Sequence, residues 1–332
     1  LGSRNYSGAL IIVSSEKPAV IESVHTMARL AGVRMLGALR KPLNANTLQK
    51  MILSQMSQPS EQVIEVSRDE VRAALDAKTI VPVYQPKLDL TKGGIHSVEV
   101  LARLAQPGAG LQSAYAYLLA SESLGMMPEL TLSLIEQVAV QSRSWRAEGV
   151  DLGFAFNISP SLLLDKNLPE LIVSALGETG LSPHMVTLEI TENQLIEYST
   201  DVLEVLSRLR IKGFHLSVDD FGTGATSFEQ LRLYPFSELK LDLTFVQDVL
   251  TDSFARLTVV TSLKLARLLN MSVVAEGVET EEQLDFFKKA GATFAQGYLI
   301  AKPLAGTDVI PWLRENHERW TSPLPDADAR SA

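Results

Sequence analysis

From residue 80 to about residue 300, eight short apolar runs recur along the chain: VPVYQP, HSVEVLARL, LGFAFNIS, MVTLEITEN, FHLSVDDFG, SELKLDL, MSVVAEGVE and TFAQGYL. Each holds four to six mostly apolar residues, enough for a strand buried on both faces. The last six are separated by stretches that can hold a helix. Eight such strands in one domain of about 240 residues predict an α/β chain whose main part is a (β/α)8, TIM-like barrel. An open doubly wound sheet is the competing architecture. It lacks its usual mark, because no G-x-G-x-x-G or G-x-x-x-x-G-K-[ST] turn follows any run.

Each run places its apolar residues first and its conspicuous polar ones last: Gln85; Glu99 and Arg103; Asn157; Glu189 and Glu192; Asp219 and Asp220; Lys240 and Asp242; Glu276 and Glu279; Gln296. In a parallel barrel these ends share one face, where the active sites of such barrels lie. Taken singly, each has a plain structural reading. Asp219 and Asp220 before FGTG suit a turn, Glu276 a helix start, Asn157 a helix cap, and Lys240 and Asp242 the outward positions of a strand. Independent caps would not all fall at the same ends of successive strands, so the joint pattern predicts one cleft dense in carboxylates.

Packed carboxylates repel one another and resist desolvation, so they either gain protons or are neutralised by cations. With no cysteine and five scattered histidines, the donors must be oxygens. Glu99, Asn157, Glu189, Asp219, Asp220 and Glu276 form an all-oxygen set suited to Mg²⁺ or Mn²⁺. Adjacent aspartates allow one to bridge a pair of cations while the other binds only the second, an arrangement used for in-line attack on phosphate esters. Lys240 would orient the attacking water or steady phosphoryl charge. The DFG of DDFG is shared with protein kinases, but no glycine-rich loop, V-A-I-K strand or H-R-D loop accompanies it.

The net charge of −9 argues against a footprint for duplex nucleic acid, which needs a basic face. No apolar stretch reaches the roughly 18–20 residues that cross a bilayer, and the N-terminus lacks a secretory pattern, so no membrane contact and a cytoplasmic location are expected. Upstream of the barrel, residues 1–54 read as a β-α-β-α piece. It has a strand in ALIIV, a helix over roughly 18–31, a second run over 33–39, Lys41-Pro42 and a helix to about 54. Residues 55–66 read as a linker, 67–316 as the barrel domain opening with a helix at 67–77, and 317–332 as a disordered tail. Leu1 in place of Met reads as the start of a fragment or a processed chain.

Eight motifs in order carry a resemblance over about residues 67–306: YQPK (84–87), EVLAR (99–103), FNISP (156–160), EITEN (189–193), DDFGTG (219–224), KLDLTF (240–245), AEGVET (275–280) and QGYLIAKP (296–303). Together they resemble the EAL-type cyclic-di-GMP phosphodiesterases. The resemblance implies a barrel that linearises cyclic di-GMP to pGpG with two Mg²⁺ or Mn²⁺ ions. It implies that Glu99, Asn157, Glu189 and Asp219 hold one ion, and Asp219, Asp220 and Glu276 the second. Glu276 would be the general base and Lys240 would contact the nucleophilic water. Gln85, Arg103, Asp242, Gln296 and Pro303 would contact substrate, and Glu192, with Glu279, would support the DDFGTG loop. A homodimer paired near that loop is implied as well.

Residues 1–54 resemble the second half of a receiver domain, with Ser14 as the switch hydroxyl and Lys41 as the receiver lysine, as in receiver–EAL response regulators. The phosphoacceptor aspartate of such a domain would lie upstream of residue 1. Three positions depart from the family pattern: Val100 for Ala in the Glu-Ala-Leu signature, Leu104 where many members have Trp, and Ala225 where many have Tyr. None removes a ligand. The last two motivate an alternative, a non-catalytic cyclic-di-GMP sensor using the same cleft.

Overall fold

Residues 90–94 are too few to carry the chain back for a parallel neighbour, which needs a crossover of about a dozen residues or more. They turn it instead, so Ile80–Asp89 (β1) and Ile95–Gln106 (β2) form an antiparallel hairpin with Gln85 opposite Glu99. The computed structural model describes residues 9–14, 24, 34–40, 66–106, 108–177, 180–192, 200–223 and 228–321. Six further strands complete the barrel: Gly153–Asn157 (β3), Val186–Thr191 (β4), His215–Phe221 (β5), Glu238–Leu241 (β6), Ser272–Ala275 (β7) and Phe294–Ala295 (β8). From β2 to β8 each pairs in parallel with the next, and β1 closes the ring by pairing antiparallel with both β2 and β8. The expected α/β barrel is present, with one correction: its first strand runs against its neighbours. Gln85 is therefore a mid-strand residue and does not end a parallel strand.

Helices cover the outside. Glu281–Ala290, between β7 and β8, shows why such segments start and stop where they do. Thr280 and Gln283 form a capping box, Glu281 and Glu282 sit in the first turn, Lys288 and Lys289 in the last, and Gly291 ends the helix at φ 86°. The long helix Met127–Ala147 packs through Trp145, whose ring lies 4.8 Å from Tyr84 on β1 and 5.8 Å from Phe154 on β3.

The strands alternate between this apolar shell and the lumen. Leu188, Ile190, Leu216, Val218, Leu239 and Leu241 are fully buried, each contributing roughly 1.5–3 kcal/mol by leaving water. Alternating with them on the same strands stand Glu189, Ser217, Glu238 and Lys240, also buried. Lys87 on β1 bonds Glu189 on β4, and these strands are not neighbours, so the contact crosses the lumen. The interior is thus polar where barrels of this kind ordinarily stack branched apolar residues.

The boundary expected at residue 316 is corrected too. The last helix, Gly306–Thr321, continues past it, because Trp320 supplies a buried apolar anchor. Among the described residues, no helix is long and apolar enough to cross a membrane. Residues 1–65 form a separate unit in which Ala9–Ser14 and Arg34–Arg40 pair as parallel strands. Lys41, all but residue 24 of the helix expected over 18–31, the helix expected up to 54, the linker to residue 65, Ala225 and the residues from 322 onward lie outside the described residues.

Candidate active site

Neighbouring side chains of a regular strand point to opposite faces, so two adjacent aspartates cannot ordinarily both enter a barrel. An irregularity in β5 resolves this. Val218 pairs with Leu239 and Phe221 with Leu241, so a three-residue step on β5 faces a two-residue step on β6. The extra residue is a bulge, and Asp220 absorbs it at φ 55°, a left-handed conformation that aspartate tolerates better than most residues. As a result Asp219, Asp220 and Glu276 each present an oxygen within 4.8 Å of the others. The turn that follows is held by Glu192, which accepts the Gly222 N–H at 2.9 Å. Only glycine fits there: φ is 104°, and a Cβ would lie 2.9 Å from the Phe245 ring.

Lys240, projecting from β6, is the hub. Its ammonium lies 2.7 Å from Glu276, 2.9 Å from Glu189, 3.0 Å from Asp219 and 3.8 Å from Glu99. Two amides hold Glu99: Asn157 donates to Oε1 at 3.0 Å and Gln296 to Oε2 at 2.5 Å. Gln296 also donates to Gln85 Oε1 at 3.1 Å, and Gln85 donates to the Ala301 carbonyl. All six expected oxygen donors, with Lys240, Gln85 and Gln296, therefore gather at one end of the lumen.

Charge is unbalanced there. Burial pushes the Glu276 carboxyl well above the usual range, and Asp219, Glu99 and Glu189 add to the rise against the pull of Lys240. Burial likewise raises Glu99. Asp220 is pushed up to about 6, first by burial and then by Asp219. Glu189 moves the other way: burial opposes its charge, but Lys240 and Lys87 outweigh burial and draw it down to about 2. Burial also opposes the Lys240 charge, and its carboxylate neighbours outweigh that too. Crowded carboxylates whose charge is opposed in this way suit hard, multivalent cations, and every donor is an oxygen. Gln296 Oε1, buried beside Glu99, has no hydrogen-bond partner among the described residues.

The remaining expected residues are more scattered. Asp242 caps the helix Leu243–Asp248, accepting the Thr244 N–H at 2.9 Å. Glu279 accepts a bond from Gln247 at 3.2 Å at the cleft wall. Arg103 lies beyond the barrel rim on β2, donating to the Ala102 carbonyl, and Pro303 precedes the short strand Leu304–Ala305. Neither lines the cleft of about 280 Å³ whose walls include Gln85, Glu99, Leu101, Glu276, Gln296 and Tyr298.

Two residues of the cluster escape a reading of strand ends: Lys87 and Glu238, buried beneath Glu189. Their signal is a period of two. Gln85, Lys87 and Asp89 alternate on β1, and Glu238, Lys240 and Asp242 alternate along β6 and into the following cap.

The EAL domain family model matches residues 68–303. The cyclic di-GMP phosphodiesterase RocR of Pseudomonas aeruginosa is 36% identical over 302 residues, which cover 89% of this chain and 77% of RocR. The cyclic di-GMP phosphodiesterase PdeR of Escherichia coli is 32% identical over 249 residues, 75% of this chain and 38% of PdeR. The solved structure of the PaMucR phosphodiesterase in complex with c-di-GMP superposes with a TM-score of 0.68 at 32% identity, covering 73% of this chain and 98% of that one.

Proposed function

The chain belongs to the EAL domain family, and from that premise we propose that it is a phosphodiesterase that hydrolyses cyclic di-GMP to linear pGpG. The observation that carries this reading is the convergence of Glu99, Asn157, Glu189, Asp219, Asp220 and Glu276 around Lys240, with more carboxylates than the buried ammonium groups can neutralise. In the proposal Glu99, Asn157, Glu189 and Asp219 hold one Mg²⁺ or Mn²⁺ ion, and Asp219, Asp220 and Glu276 the other. When bound, such a pair polarises a phosphodiester and lowers the pKa of an attacking water.

The chain's own groups do the rest. Glu276, ionised once cations balance the charge around it, would accept the proton of the water. Lys240, 2.7 Å away, orients Glu276 and places a fixed positive charge where phosphoryl charge builds up. Gln85 and Gln296 contact the dinucleotide in the cleft, Arg103, Asp242 and Pro303 contact it where it extends past the cleft walls, and Glu192 and Glu279 steady the rim. Leu104, a departure that motivates a non-catalytic sensor, is buried in the core opposite Ile80 and displaces no donor.

The purified chain incubated with cyclic di-GMP and Mg²⁺ or Mn²⁺ is expected to yield pGpG on separation of the products. Tight binding of cyclic di-GMP without product under either cation would reject catalysis in favour of the sensor.

A further inference from the structure

The register places Lys87 opposite Ser97, two residues before Glu99 on β2, and Glu238 two residues before Lys240 on β6. Both side chains therefore occupy the layer of the lumen below the proposed metal site. Lys87 is 1% exposed, with its ammonium 2.7 Å from Glu189 Oε1 and 3.3 Å from Glu238 Oε1. The other oxygen of Glu189, Oε2, is 2.9 Å from Lys240. Each carboxylate oxygen of Glu189 is thus held by a different ammonium, one from below and one from the cleft.

Stability does not account for this arrangement. A buried ion pair is commonly no better than apolar residues of the same volume, which barrels of this kind ordinarily place in their interior. Orientation does account for it. The terminal torsion of a glutamate is broad and roughly two-fold, so Lys240 alone would leave Glu189 free to turn about the one oxygen it holds. With Lys87 on the second oxygen, and Lys87 itself tethered by Glu238, the plane of the carboxylate is set.

We infer that Lys87 and Glu238 are positioning residues of the active site, clamping Glu189 from beneath so that it meets a cation in one orientation. The inference rests on the proposed metal-dependent reading, and its test separates the two. In the full chain, Lys87→Met keeps the volume and removes the ammonium. Mn²⁺ added without substrate, followed by calorimetry, should then bind about 10- to 100-fold more weakly, the usual cost of losing a group that orients a ligand. The kcat for cyclic di-GMP should fall in step while KM moves less than about threefold.

A purely electrostatic role predicts the opposite, tighter Mn²⁺ binding, because a positive charge has gone. A role in stability alone lowers the thermal midpoint and leaves Mn²⁺ affinity and kcat unchanged. Either result in folded protein overturns the inference. If Lys87→Met does not fold, the double variant Lys87→Met/Glu238→Leu removes both charges, leaves the net charge of the lumen unaltered and replaces the pair with apolar volume. It should still bind Mn²⁺ roughly tenfold more weakly, and unchanged affinity overturns the clamp. Failure of the unmutated chain to bind Mn²⁺ or to release pGpG rejects the metal-dependent reading itself, and the clamp falls with it.

Discussion

Lys87 and Lys240 are both 1% exposed and both project into the barrel lumen, yet their surroundings differ in their balance of charge. Among the described residues, Lys87 has two carboxylates within 4 Å, Glu189 and Glu238. Lys240 has four, Glu99, Glu189, Asp219 and Glu276, with Asp220 beside them. With Glu189 shared, the lower layer is close to neutral and the upper one carries a negative excess. Burial alone therefore does not mark a reactive site. A balanced buried pair is satisfied within the chain, whereas an excess of carboxylates must take up protons or cations.

The largest expected effect tests whether the charge excess around Lys240 is catalytic. Glu276→Gln keeps the shape of the side chain but cannot accept the proton, and turnover should fall on the order of 10²- to 10⁴-fold, measured as pGpG released per minute. A fully active Glu276→Gln protein would remove the mouth of the barrel from the chemistry and leave both lysines structural.

Removing each ammonium sharpens the difference next. Stripping Lys240 or Lys87 from its partners should cost about 3–5 kcal/mol without added metal, read by thermal or denaturant unfolding. The two variants should diverge when Mn²⁺ is added. Lys240→Met deepens the negative excess, so Mn²⁺ should raise its midpoint more than that of the unmutated chain. Lys87→Met loosens Glu189, so Mn²⁺ should raise its midpoint less. Equal responses would erase the distinction.

The smallest effect is in pH. The Asp220 carboxyl is raised from 3.8 to about 6, so its contribution to stability is full below 3.8 and is lost as pH rises through 6. Glu189 has the opposite sign: lowered from 4.5 to about 2, it contributes above 4.5 and is lost as pH falls toward 2. Because a cation relieves the cost at Asp220, the rise in midpoint produced by Mn²⁺ should be larger at pH 8 than at pH 5. Asp220→Asn should flatten the metal-free profile between pH 4 and 6. A thermal-shift series at matched ionic strength reads both, and identical Mn²⁺ responses at the two pH values would show that Asp220 does not sense the site.

Much of this was legible along the chain. Apolar runs ending in acids and amides predicted the barrel and a polar cleft, and the spatial cluster contains all six proposed donors. Other features had weaker signals. The five residues between β1 and β2 exclude a crossover, and so imply the antiparallel first strand, once a barrel is assumed. Lys87 and Glu238 were marked by alternation, but a polar residue at every second position ordinarily means a solvent-facing side. Trp320 extends the last helix beyond the expected boundary because burial of an indole offsets the low apolar content around it.

From the sequence alone come the identities of the acids and amides that gather in the cleft, their order along the chain, the absence of cysteine and the α/β alternation that makes a barrel. Those properties are local, written in residue type and in a spacing of one or two positions. Tertiary structure decided which buried face the polar residues occupy, that both aspartates face one cleft, and that Glu189 lies between two ammonium groups. A period of two tells which residues share a face but not which face lines the lumen. Closing the sheet settles that choice, and the bulge at Asp220 arises only where β5 must pair with a shorter step on β6.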